Sequence, residues 1–303
     1  MLHRLKHGRR GPSPADASLL PTPAAPQDSP VWPPAGHYYS PIPDLDEVRR
    51  RQSELFERIP ETVPGIDLRA DAQLALLPDF AKLHAQMPFG DQPRDGLRYG
   101  FRNGVFEHGD GTVLYSMLRT LRPSRYLEIG SGWSSALALD VRDRFLAGHL
   151  ECTLIEPFPQ RLHTVLKPGD RQTIRLITAP LQDSVDEVKS IGPGDVLFID
   201  STHVAKIGSD VLLLINDVLP SLPAGVHVHV HDIFYPFEYP AEWLFEGRAW
   251  NEAYLLRAYL AFNPRIRITW FSSYLARFHV EAVENALPTW AVNHGGSIWL
   301  ETV

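Results

Sequence analysis

The sequence predicts an α/β fold: a mostly parallel, seven-stranded sheet with an antiparallel last strand, preceded by a helical cap. Three observations carry this. After Pro123, short apolar runs alternate with helical stretches, the pattern of βαβ units and parallel pairing. The last two runs have no clear helix between them, which suits an antiparallel closing pair. Finally, 303 residues at 44% hydrophobic and 21% charged are enough for one large core without covalent staples.

The elements follow in order. Ten of the 27 prolines fall in residues 1–43, and each removes a backbone donor and fixes φ. A disordered tail is expected there. Its basic start (Arg4, Lys6, Arg9, Arg10) is followed by no apolar stretch of signal-peptide length, so an untargeted, cytoplasmic chain is expected. Residues 44–121 are expected to form the helical cap. Asp44 with Glu47 three positions later marks a helix start, and Leu45, Val48, Leu55, Phe56 and Ile59 share one face. A second helix is expected from Asp71, with Pro78 kinking or splitting it, and a third from Asp110 to Leu121.

Residues 122–303 are expected to form the sheet domain. Its strands are read at 125–129, 152–155, 174–177, 196–199, 226–230, 266–271 and 297–300. Its helices are read at 134–145, 160–166, 184–189, 205–219 and 248–262.

The sharpest local signal is Glu128-Ile129-Gly130-Ser131-Gly132, where the first strand turns into a helix. Glycines let the backbone approach a ligand, and a helix start offers free N–H groups. A Gly-x-Gly bend alone serves NAD and S-adenosylmethionine (SAM) equally. The dinucleotide pattern wants a third small residue where Ser135 stands. A carboxylate at Glu128 would repel a pyrophosphate and suit the ammonium and sulfonium of SAM. Glu156, at the end of the second strand, stands where an acid accepts hydrogen bonds from ribose hydroxyls. Gln182 and Asp183, after the third strand, are candidates for the adenine edge, with a helix cap at Asp183 or Ser184 as the alternative.

With these residues in place, residues 125–300 resemble a class I SAM-dependent methyltransferase. The resemblance rests on Glu128-Ile129-Gly130-Ser131-Gly132, Glu156, Asp195–Asp200 and Gly225–Asp232. The nearer likeness is to the O-methyltransferase branch with sugar- and antibiotic-modifying members. It implies a Rossmann-like sheet and a SAM site lined by Glu128, Gly130, Ser131, Gly132 and Glu156. It further implies Mg²⁺ or another divalent cation at Asp200 and Asp232, and His203 as general base. His231 departs from the pattern, since a carboxylate often stands there, and histidine is a poor partner for Mg²⁺. His227 and His229 share its strand face and are expected to be core.

The reading is therefore O-methyl transfer from SAM to a small-molecule or glycan hydroxyl. His203, near the ordinary imidazole pKa, takes the proton, and the aromatic stretch from Phe234 to Trp250 walls the acceptor. Residues 44–121 would cover the cofactor. Three other readings stay open: a non-catalytic SAM-fold binding protein, an NAD-dependent oxidoreductase, and a zinc hydrolase using the histidine run. A net charge of −7 points away from nucleic acid. The single Cys152 excludes a disulfide framework, and no apolar run is long enough for a membrane helix. A homo-oligomer is compatible with all of this.

Overall fold

The structure is a computed structural model that describes residues 33–94 and 96–303. Most of the proline-rich stretch, with its expected disorder, therefore lies outside the described residues.

The chain begins with α1 (Leu45–Arg50), where the Asp44 carboxylate accepts from the backbone N–H of Asp46 and Glu47. The expected second helix is split into α2 (Ala70–Leu74) and α3 (Leu77–His84), with Pro78 in the first turn of α3, where its missing N–H costs nothing. Then come α4 (His108–Leu121), β1 (Arg125–Ile129), α5 (Trp133–Phe145), β2 (Glu151–Ile155), α6 (Gln160–Val165), β3 (Ile174–Ile177), α7 (Val185–Lys189) and β4 (Val196–Ile199). α8 (Asp210–Leu213) runs through a π turn (Leu214–Val218) into α9 (Leu219–Ser221). The remainder is β5 (His227–His231), α10 (Ala241–Phe245), α11 (Glu252–Leu260), β6 (Ile266–Phe271), α12 (Ser272–Phe278), α13 (Val280–Ala286) and β7 (Ser297–Thr302).

The seven strands form one sheet in the order β3-β2-β1-β4-β5-β7-β6, with β7 antiparallel to both β5 and β6. The Rossmann-like order is as expected. The absence of a helix before β7 is corrected, because α12 and α13 fill that interval. β1 and β4 are neighbours from which the chain winds in opposite directions, so a crevice opens at their carboxyl ends. Ile129 pairs with both Ile155 and Ile199, so β1, β2 and β4 end level. Residues that directly follow these strands emerge along one edge.

The central strands are buried on both faces, which is why they read as apolar runs rather than alternating ones. α4 lies along α5 and buries Val113, Leu114, Met117 and Leu118, each at helical spacing. A buried arginine, Arg98, joins the loop before α4 to the sheet domain: its side chain bonds Asp140 of α5 at 2.8 Å and also Asp170. α2 and α3 pack at the far edge of the sheet. The Gln73 Oε1 accepts from Phe271 N–H at 2.7 Å, and Phe80 meets Trp270 at 5.5 Å. Burying such an aromatic ring contributes about 1.5–3 kcal/mol. Among the described residues of 44–121, only Gly104 and Val105 line the crevice.

Candidate active site

The crevice is a cavity of about 660 Å³ at the carboxyl edge of β1, β2, β4 and β5. Its first wall is the glycine bend. Gly130 has φ +78, and a Cβ there would lie 2.2 Å from the carbonyl oxygen of Asp200. Only glycine allows β1 to turn so close to β4. Glu156 is the first residue past β2. Its Oε2 accepts from Ser131 N–H at 3.0 Å and its Oε1 from Phe158 N–H at 2.7 Å. Each oxygen keeps a lone pair for a ligand hydroxyl. Ile155, Pro157, Phe158, Pro180 and Leu181 complete an apolar slot beside it. Gln182 lines the slot too, but its amide donates to Gly208 O at 2.7 Å. Asp183 is exposed and stands outside the lining, because the 3-10 turn Leu181–Asp183 directs it outward. Its assignment to the adenine edge is corrected.

The second wall holds the acids after β4 and β5. His203 lies in a loop with φ 61, and the helix expected over 205–219 begins only at Asp210, as α8, capped by Ser209. Asp232 also has positive φ, at 55. Left-handed backbone in non-glycine residues costs free energy and clusters at functional sites. The His203 ring is buried, with a carboxylate at each nitrogen: Nδ1 is 2.9 Å from Glu252 Oε2, and Nε2 is 3.2 Å from Asp200 Oδ1. Asp232 Oδ2 stands 4.0 Å from the same Nε2. Burial alone would push the imidazole pKa down, but the bonds to Asp200 and Glu252 overcome it and hold it well above the ordinary value. Burial likewise acts to raise Asp200, and the charges of His231 and His203 overcome it and lower its pKa. His203 therefore differs from the expected base of ordinary pKa: a carboxylate stands at each ring nitrogen and favours the charged imidazole.

Beyond this pair the wall is aromatic. Trp250 packs against His203 at 4.2 Å and edge-on against Trp243 at 5.3 Å. Asp210 is satisfied internally, accepting from Thr202 N–H at 2.9 Å and from its hydroxyl at 2.6 Å.

A family model described as a methyltransferase domain matches residues 127–233. An uncharacterised protein of Archaeoglobus fulgidus is 38% identical over 158 residues, covering 50% of this chain and 70% of that one. Residues 127–233 thus belong to a methyltransferase domain, set within the Rossmann-like sheet described above. Among solved structures, the O-methyltransferase TomG from Streptomyces achromogenes, involved in tomaymycin synthesis and bound to SAM, is 16% identical. That match covers 85% of this chain and 96% of TomG, with a TM-score of 0.39. An O-methyltransferase from Bacillus cereus in complex with S-adenosylhomocysteine (SAH) is 14% identical, covering 85% and 97%, with a TM-score of 0.38.

The residues present fit SAM. The Glu156 carboxylate, with lone pairs to spare beside an apolar slot, suits a ribose diol and a flat base. Besides Asp183, two of the residues expected to touch it do not line the cavity, Glu128 and Gly132. Glu128 is fully buried one residue inside β1, and both its oxygens accept from hydroxyls of α5: Ser134, and Ser135 at 2.6 Å. Burial pushes its pKa up to about 8, although the serine hydroxyls act against the shift. It braces strand to helix from beneath the bend, outside the cavity lining. Gly132 starts α5 behind the bend, its N–H given to Ser135 Oγ at 3.1 Å.

The residues fit a divalent cation less well. The His203 imidazole lies beside both Asp200 and Asp232 and supplies the positive charge an ion would bring, while His231 Nε2 is 3.6 Å from Asp232. Among the described residues, no group of three or more His, Cys, Asp or Glu side chains is arranged to hold a metal. His229 sits deeper, stacked on Phe198 at 3.9 Å, as expected of a core residue. Glu252 was missed. It is fully buried and bonds both His203 and Ser201, but it lies 49 residues from His203, in a stretch that reads as an ordinary helix. No local pattern marks it.

Proposed function

We propose that this methyltransferase acts on oxygen, moving the methyl group of SAM to a hydroxyl of a small-molecule or sugar acceptor. The observation that carries this is the division of one cavity into two halves. A nucleoside half at Gly130, Ser131 and Glu156 adjoins a half where the carboxylates of Asp200 and Asp232 meet an aromatic wall. Bound SAM supplies an electrophilic methyl carbon on a sulfur that leaves with the bonding electron pair. Glu156 and the Ser131 backbone hold the ribose end. Asp200 accepts a hydrogen bond from the acceptor hydroxyl and turns its oxygen lone pair toward the methyl carbon. A hydroxyl oxygen becomes strongly acidic as its new bond to carbon forms, so a carboxylate of low pKa is base enough to take the proton late. His203 holds Asp200 ionised and oriented, and Glu252 holds His203. Trp243, Trp250 and Tyr239 shield the acceptor side from water, where fixed charges act more strongly.

The test pairs SAH calorimetry with a labelled-methyl assay over sugar, phenol and hydroxy-acid acceptors. Expected are SAH binding and an alkali-stable O-methyl product. A product methylated only on nitrogen or carbon would overturn the oxygen assignment. A chain that binds no SAH would remove the cofactor reading for these residues.

A further inference from the structure

The acceptor half of the cavity carries a charge imbalance that the methyl transfer itself does not use. Each acid in its lining is already engaged. Asp200 faces His203 at 3.2 Å, Asp210 holds Thr202, and Asp232 stands within 3.6 Å of His231 and 4.0 Å of His203. The lining cations are not matched in this way. Lys206, on the loop that carries His203, makes no side-chain hydrogen bond or ion pair among the described residues. Arg248 lies with its Cζ over the Trp243 ring at 4.3 Å and near that of Trp250 at 5.2 Å, and its side chain is only 16% exposed. One of its N–H groups meets Glu246 at 3.0 Å, but that partner is half exposed, on the rim, where such a pair is weak. Guanidinium groups stacked on indoles keep their in-plane N–H fork for a planar anion.

The placement gives a length as well as a charge. Trp250 touches both His203 and Arg248, so one ring lying on this indole can reach the Asp200–His203 pair with one end and the guanidinium with the other. We propose that the acceptor is a ring-sized acid: a molecule bearing, besides the hydroxyl that is methylated, an anionic group held by Arg248 with Lys206 at the mouth. This rests on the methyltransferase reading of the site and deepens it by naming the acceptor's class.

Binding of paired probes tests the proposal. Para-hydroxybenzoate is compared with para-hydroxybenzamide, glucuronate with glucose, and glucose phosphate with glucose, each titrated into the full chain with and without saturating SAH. Tryptophan fluorescence is the readout, because Trp243 and Trp250 form the wall. The carboxylate and phosphate arms distinguish the two sources of negative charge. The charged member of a pair is expected to bind about tenfold more tightly than its neutral partner, with the gap narrowing as salt rises. Arg248→Gln brings the two within about twofold and leaves SAH affinity unchanged, while Arg248→Lys, which keeps the charge but not the fork, falls between. Equal affinity within every pair, no binding by any charged probe, or a preference that survives Arg248→Gln would overturn the proposal. Failure of SAH to bind, with the charge preference intact, would instead count against the methyltransferase reading alone.

Discussion

Glu128 is a buried acid in β1 and Asp200 a half-buried one just past the neighbouring β4, two residues apart in level, yet they end in opposite states. Glu128 pairs in register with Phe198, inside the sheet, and its carboxyl is pushed up to about 8 and capped by two serine hydroxyls. Asp200 follows the last residue of β4, borders the cavity, and keeps its charge against the His203 imidazole. Glu156 and Asp232 also directly follow their strands, and both line the cavity. Two residues of position along a strand therefore separate a brace from a working group. An acid inside the strand is folded under the helix that follows, whereas an acid just past it looks into the crevice.

The contrast can be broken from either side. The largest effect is expected at Asp200: Asp200→Asn should lower turnover about 10²–10³-fold while leaving SAH affinity within about threefold, read by SAH release and calorimetry. Next is Glu156→Ala, which should weaken SAH binding about 10–100-fold through loss of a charged acceptor. Unchanged affinity would move the ribose elsewhere. Glu128→Gln should spare both measurements and show itself in stability. The folded chain keeps the Glu128 proton up to about pH 8, whereas an unperturbed glutamate loses it near 4.5. Between those values the folded state binds more protons, so wild-type stability falls as pH rises through the window and levels off above it. The glutamine variant lacks this titration and should gain on wild type by on the order of 1–3 kcal/mol from about pH 5 to about pH 8, measured by denaturant unfolding. A parallel pair of curves would mean that Glu128 is ionised. The smallest expected effect is that of EDTA, which should change SAH affinity by less than about twofold, since Glu156 and the Asp200 group line different parts of the cavity.

Much of the sheet was legible because parallel strands buried on both faces leave continuous apolar runs, and the bend at Gly130 is forced by the approach of Asp200. The helices α12 and α13 were not. Ser272 follows β6 with no glycine or proline between, so strand passes into helix without punctuation. The helix read over 205–219 starts late because the loop before it turns through a left-handed His203. Within the site, the strand-following acids could be found from position alone. The burial of Glu128 could not, because it depends on hydroxyls six and seven residues on. The state of His203 depends on Glu252, brought near by tertiary packing.

That packing is more than one ion pair. The backbone N–H groups of Asn251 and Glu252 both donate to the His203 carbonyl, at 3.0 and 3.2 Å, and Asn251 Oδ1 accepts from Ala205 N–H at 2.6 Å. The segment bearing Trp250 is thus stitched to the loop bearing His203 through main-chain atoms, and the two must travel as one piece. Damage to the aromatic side would be felt at the reacting oxygen, so a poorly seated acceptor should be processed slowly rather than merely held loosely.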